Sequence, residues 1–141
     1  MSIDTTFLRR CIQTLEVALA EIEKYRVSGD IFYDICRAAC VKEFELVLEH
    51  SGKLLRKRLA AYFPSNRQAD RLTFKDLFRH AVKHGLMEPE AAERWLFYRD
   101  NRNDTAHNYG EIFEEATLKL LSAFVADAKA LAAMIEEADD D

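Results

Sequence analysis

Only four glycines and two prolines punctuate 141 residues. With so few residues that break or turn a helix, the backbone is expected to run in long helices joined by short connections. The apolar spacing agrees. Asp4 can cap a first helix whose apolar positions are Phe7, Leu8, Cys11, Ile12, Leu15, Leu19, Ile22 and Tyr25, the steps of three and four that place side chains on one helical face. Ser28-Gly29-Asp30 breaks it, and Asp30 suits the N-cap of the next helix. That second helix is expected from Ile31 to about Phe63, with Pro64 as its stop and Ser51-Gly52 as the place for a bend.

Thr73 with Asp76 three residues on forms a capping box that opens a short third helix, Phe74 to about His84, and Gly85 suits its C′ position. Pro89 falls where a first-turn proline is tolerated, opening a fourth helix through Trp95, Leu96 and Tyr98. Asn108 with Glu111 can cap the last helix, whose apolar residues include Ile112, Phe113, Leu118, Leu121, Phe124, Val125, Leu131 and Ile135. No stretch alternates like a strand, and no repeat or low-complexity tract is present. The expected fold is all-α: a four- to five-helix, antiparallel up-and-down bundle.

The chain length suits one domain, placed at residues 1–135, with 136–141 as a solvated acidic tail. The net charge of −5 hides a polarised distribution. Residues 1–50 carry a net −3, residues 51–84 a net +7, and residues 85–141 a net −9. These blocks read either as solvated helix faces or as a basic patch for phosphates or an acidic partner. Three cysteines are odd in number and too few for a disulfide framework, so they read as thiols in a reducing cytoplasm. His80 and His84 have helical i, i+4 spacing but lack the glutamate of a zinc-protease helix, and no metal site is expected. Neither a leader pattern nor an 18-residue apolar run appears, so no membrane contact is expected and the cytoplasm is the expected location.

The segment from Asn101 to Gly110 is rich in Asn and Asp and interrupts the helical pattern. Within it Arg102 and His107 are five apart, which on a continuous helix places them about 140° apart. They converge only if the helix ends between them, and Asp104-Thr105 supplies residues for such an ending. Taken alone, the pair also fits a bland reading: Arg102 paired with Asp100, Asp104 or a helix C-terminus, and His107 as a cap. A second such spacing, Arg79 to His84, lies inside the regular third helix and reads as part of the basic face. Trp95, Phe97 and Tyr98 read as core or interface aromatics rather than as stacking platforms for bases.

What distinguishes the first pair is its setting, Arg102-Asn103-x3-His107-x-Tyr109. Here the sequence resembles the HEPN family, and within it the HepT-type toxins and the related nucleotidyltransferase substrate-binding proteins. The resemblance extends over nearly the whole chain. It implies a homodimer that joins two copies of the motif in one cleft, and a metal-independent endoribonuclease of a toxin–antitoxin pair acting on RNA. In that chemistry His107 moves a proton near neutral pH, Arg102 holds the phosphate, and Asn103 positions an oxygen. Tyr109 matches the tyrosine to which a cognate nucleotidyltransferase, the antitoxin, attaches AMP. Lys53, Arg56, Lys57, Arg58, Arg79 and Lys83 are the candidates for holding the RNA backbone. The alternative is a non-catalytic substrate-binding subunit that partners a separate nucleotidyltransferase chain. No cofactor is expected, because no glycine-rich phosphate loop is present.

Overall fold

The chain enters its first helix, α1 (Thr6–Tyr25), through Asp4, whose carboxylate accepts the Thr6 N–H at 2.9 Å. That bond satisfies one of the amide donors a helix start leaves open. The later elements are α2 (Ile31–Leu59), a 3-10 turn (Ala60–Tyr62), α3 (Asn66–Asp70), α4 (Phe74–Lys83), α5 (Pro89–His107) and α6 (Glu115–Glu137). This computed structural model describes residues 3–25, 31–107 and 115–137, apart from the side chains of 103–107 and 115–117. There is no strand among the described residues, and the fold is an all-helical bundle. The break and cap at Ser28-Gly29-Asp30, and the Asn108/Glu111 cap with Ile112 and Phe113, lie outside the described residues.

Several local expectations hold. Thr73 and Asp76 form a reciprocal capping box at 3.1 Å in both directions, and Gly85 takes the left-handed conformation at φ 72° that ends α4. Pro89 opens α5. Ser51 and Gly52 are buried inside α2, and a Cβ on Gly52 would stand 3.4 Å from the Phe74 ring. A side chain larger than alanine here would push the first turn of α4 away from α2.

The ring and ion-pair contacts give the helix directions. Phe7 packs on His50, and Tyr25 on Phe32, so α1 and α2 are antiparallel. Arg9 with Glu136 and Glu16 with Lys129 join α1 to an antiparallel α6. Phe74 beneath Arg99 and Phe78 on Trp95 set α4 against α5 in the same sense. Two packed pairs run parallel: α2 with α6, which meet at Phe44 and Phe124 and are each antiparallel to α1, and α2 with α4. Gly52 meets the start of α4 and Phe63 meets His80 near its end, so these two run the same way. The 3-10 turn and α3 bring the chain back between them. Arg56 fastens that return, donating to the carbonyls of Ala69 at 3.3 Å and Leu72 at 2.6 Å.

The core is centred on Phe44, Phe78, Trp95, Tyr98 and Phe124, all buried and mostly edge-to-face. Each large apolar side chain so buried contributes about 1.5–3 kcal/mol against exposure. Trp95 and Tyr98 therefore belong to the core, while Phe97 between them is 58% exposed.

Two expectations change. The acidic tail does not begin at 136: α6 runs on to Glu137, and Glu136 accepts hydrogen bonds from Arg9 at 2.6 and 2.9 Å and from Thr5 at 2.6 Å. The helix also does not end between Arg102 and His107. α5 passes through Asp104 and Thr105, because its inner face is already committed to the core by Trp95 and Tyr98 and that packing outweighs the poor propensity of Asn and Asp.

Candidate functional site

α5 carries three of the four motif residues. Arg102 is half-buried, and its Nε is enclosed without a hydrogen-bond partner. Asn103 and His107 follow on the same helix, with His107 its last residue, and their side chains lie outside the described residues. Tyr109 lies outside them altogether. On an unbroken helix Arg102 and His107 stand about 140° apart around the axis.

Arg99 was not anticipated from the sequence. It lies one turn before Arg102 on nearly the same face, is exposed, and places its guanidinium 4.7 Å from the centre of the Phe74 ring. Lys75, exposed on the first turn of α4, belongs to this same end of the bundle. The i, i+3 step from Arg99 to Arg102 was the signal available for finding it.

The basic stretch of residues 51–84 does not form one patch. Lys53 and Lys57 are exposed on α2 toward α1, where the charge of both reaches His50 and that of Lys57 also reaches Asp4. Burial first, then these two lysines, hold His50 below its ordinary value. Arg56 is half-buried and spends its Nε and Nη2 on the loop carbonyls of Ala69 and Leu72. Arg58 lies over Tyr62, 5.5 Å from its ring centre, with its Nε buried and unpartnered. Arg79 and Lys83 are exposed along α4, and His84 stacks on Tyr62 at 3.9 Å.

Among the described residues, no group of three or more His, Cys, Asp or Glu is placed to hold a metal, and no helix is long and apolar enough to cross a membrane. The three cysteines are free; burial, and then Cys36, pushes the Cys40 thiol up to about 12, so it is not a nucleophile near neutral pH. A cavity of about 460 Å³ lies between α5 and α6, lined by Leu86, Met87, Trp95 and Met134 and bordered by Arg94 and Asp127. It sits toward the start of α5, away from Arg102.

This helical frame has counterparts among known proteins. The model of the family described as nucleotidyltransferase substrate binding protein like matches residues 5–137. The chain belongs to that family, which is of HepT and HEPN type. It is 28% identical over 95 residues to a Haemophilus influenzae protein named "Probable ribonuclease HepT", a match that covers 67% of this chain and 64% of that one. A solved Haemophilus influenzae structure, described as the fold of a substrate-binding domain of a nucleotidyltransferase, superposes with a TM-score of 0.80. It covers 94% of this chain and 98% of its own at 24% identity, which establishes the fold.

Proposed function

We propose that this protein is a HEPN-type toxin: a metal-independent endoribonuclease controlled by a cognate nucleotidyltransferase that transfers AMP to Tyr109. The observation that carries the reading is Arg102. It stands in the Arg-Asn-x3-His-x-Tyr pattern with its guanidinium Nε unspent on any partner among the described residues, although a buried donor left unpaired is costly. A phosphate oxygen is the kind of acceptor that would satisfy it.

In this mechanism His107 removes the proton of a ribose 2′-hydroxyl. The freed oxygen attacks the adjacent phosphorus, and the bond to the 5′-oxygen breaks once that oxygen receives a proton. The products are a 2′,3′-cyclic phosphate and a 5′-hydroxyl. Arg102 offsets the charge that builds on the phosphate, and Asn103 positions an oxygen by hydrogen bonding. Because positions 102 and 107 stand about 140° apart around α5, the site is completed by a second copy of the chain. AMP on Tyr109 adds negative charge two residues from His107 and repels the RNA phosphate.

Expression of the protein alone is expected to arrest growth, and His107→Ala is expected to relieve the arrest. Co-expression with a cognate nucleotidyltransferase is expected to add AMP masses that are absent in Tyr109→Phe. Equal growth of both strains would remove the toxin reading.

The family description and the solved relative's description as a substrate-binding domain favour a second reading. In it the bundle serves a separate nucleotidyltransferase without cutting RNA. That subunit would bind its partner equally well with Arg102 and His107 replaced, whereas the nuclease would lose RNA cleavage.

A further inference from the structure

α4 carries three exposed cations at successive turns: Lys75, Arg79 and Lys83. Steps of four residues advance about 6 Å along a helix, so these charges form a slowly turning row about 12 Å long. The row begins at the end of the bundle where Arg99 meets Phe74, one turn from Arg102. It finishes at a cluster that the proposed chemistry does not use. There Tyr62, 41% exposed, stacks nearly parallel on His84, with ring centres 3.9 Å apart and planes 8° apart. His84 is itself aligned with His80, whose other neighbour is the Phe63 ring. Arg58 lies over Tyr62.

Two further features of the cluster lie in its polar atoms. The Arg58 Nε and the His80 Nδ1 are both buried with no hydrogen-bond partner. Both lie beside the exposed Tyr62 ring, to whose hydroxyl the Arg58 Nη2 donates at 3.5 Å. The acid within the row, Asp76, is engaged with Thr73 in the capping box. The antiparallel register of α4 and α5 puts the cluster level with the start of α5, about 20 Å from Arg102 along the helix.

We infer that this surface is a second RNA-binding site: single-stranded RNA follows the Lys75–Arg79–Lys83 row and stacks an unpaired base on Tyr62, beside Arg58 and His84. Cations at regular intervals hold a phosphate backbone without reading its sequence, and a preformed aromatic face takes any base that is free to stack. A duplex keeps its bases stacked on one another and has none to offer. The inference rests on the proposal that RNA is the substrate, but it concerns binding at a site distant from the motif.

The test uses the full chain carrying His107→Ala, so that RNA is bound and not cut. Fluorescence anisotropy would follow a labelled twelve-nucleotide single strand and a blunt duplex of the same sequence. The single strand is expected to bind more tightly. Tyr62→Ala is expected to weaken it at least about fivefold, and Tyr62→Phe to restore it, since stacking needs the ring and not the hydroxyl. Arg79→Gln and Lys83→Gln are each expected to flatten the plot of log affinity against log salt by about 0.7. Unchanged thermal unfolding of the Tyr62 variants shows that the bundle is intact. Equal binding by Tyr62→Ala, or equal affinity for the duplex, would overturn the inference. So would variants that bind RNA normally but lose a co-purifying nucleotidyltransferase, since the row would then be a protein-contact face. Binding that follows the expected pattern while the unmutated protein cuts nothing would instead remove the nuclease reading and leave this site standing.

Discussion

Asp127 on α6 is held from α5 by two side chains, with Arg94 donating two hydrogen bonds at 2.8 and 2.9 Å and the Tyr98 hydroxyl a third. Burial pulls its pKa upward, but the bonds from Arg94 and Tyr98 outweigh that and keep it below the ordinary carboxylate value. Tyr98 itself is buried, and its hydroxyl has this carboxylate as partner. Tyr98→Phe keeps the ring and removes one bond to a charged acceptor, so chemical denaturation should show a loss of about 1.5–3 kcal/mol. Glu136 is the other carboxylate with a structural duty. Hydrogen bonds from Arg9, then Thr5, hold it at about 2. A carboxylate depressed on folding contributes stability above its unfolded pKa of about 4.5 and loses it as pH falls toward 2. The pair is more than a third exposed, so screening holds its worth to about 1 kcal/mol or less. Glu136→Gln should therefore lower the melting temperature slightly at pH 7 and match the parent near pH 2.

At the level of elements, the boundaries written in local chemistry were legible before the structure was known. Asp4, the Thr73/Asp76 box, Gly85 and Pro89 each act through neighbours a few residues away, and each is found in its expected role. α3 was not anticipated. Five residues are too few to show a period, although Ser65 accepting from Gln68 N–H marks its start in hindsight. The ending expected at Asp104-Thr105 failed for a different reason. Asn and Asp disfavour a helix locally, but Trp95 and Tyr98 anchor α5 in the core, and that long-range packing is invisible in the segment itself. Arg56 looked like one cation among nine in its stretch, and only the folded-back chain from Ala69 to Leu72 reveals what it binds. Gly52 belongs to this scale too. Alanine there meets Phe74 at ordinary contact distance, so Gly52→Ala should hold or gain up to about 1 kcal/mol from helix propensity. Gly52→Leu should cost about 1–3 kcal/mol by forcing α4 outward, and thermal melts of the two variants check the pair.

Across the whole molecule, the net negative charge is spatially divided. Part of it is engaged internally, as at Glu16, Asp127 and Glu136. Along α4 the exposed cations form a row that begins near Arg99 and Arg102, while Lys53 and Lys57 look toward α1. The proposed site needs a second copy of the chain, because positions 102 and 107 stand about 140° apart around α5, so light scattering at micromolar concentration should give twice the chain mass, and a monomer would leave the site without its second half. The proposed activity is RNA cleavage by Arg102 and His107 without a metal. Its decisive measurement is the incubation of purified protein with single-stranded RNA in excess chelator, with the products analysed by mass. Fragments ending in a 2′,3′-cyclic phosphate are expected from the unmutated protein, and none above background from His107→Ala or Arg102→Ala. No cleavage by the unmutated protein, or cleavage that persists in both variants, would refute it.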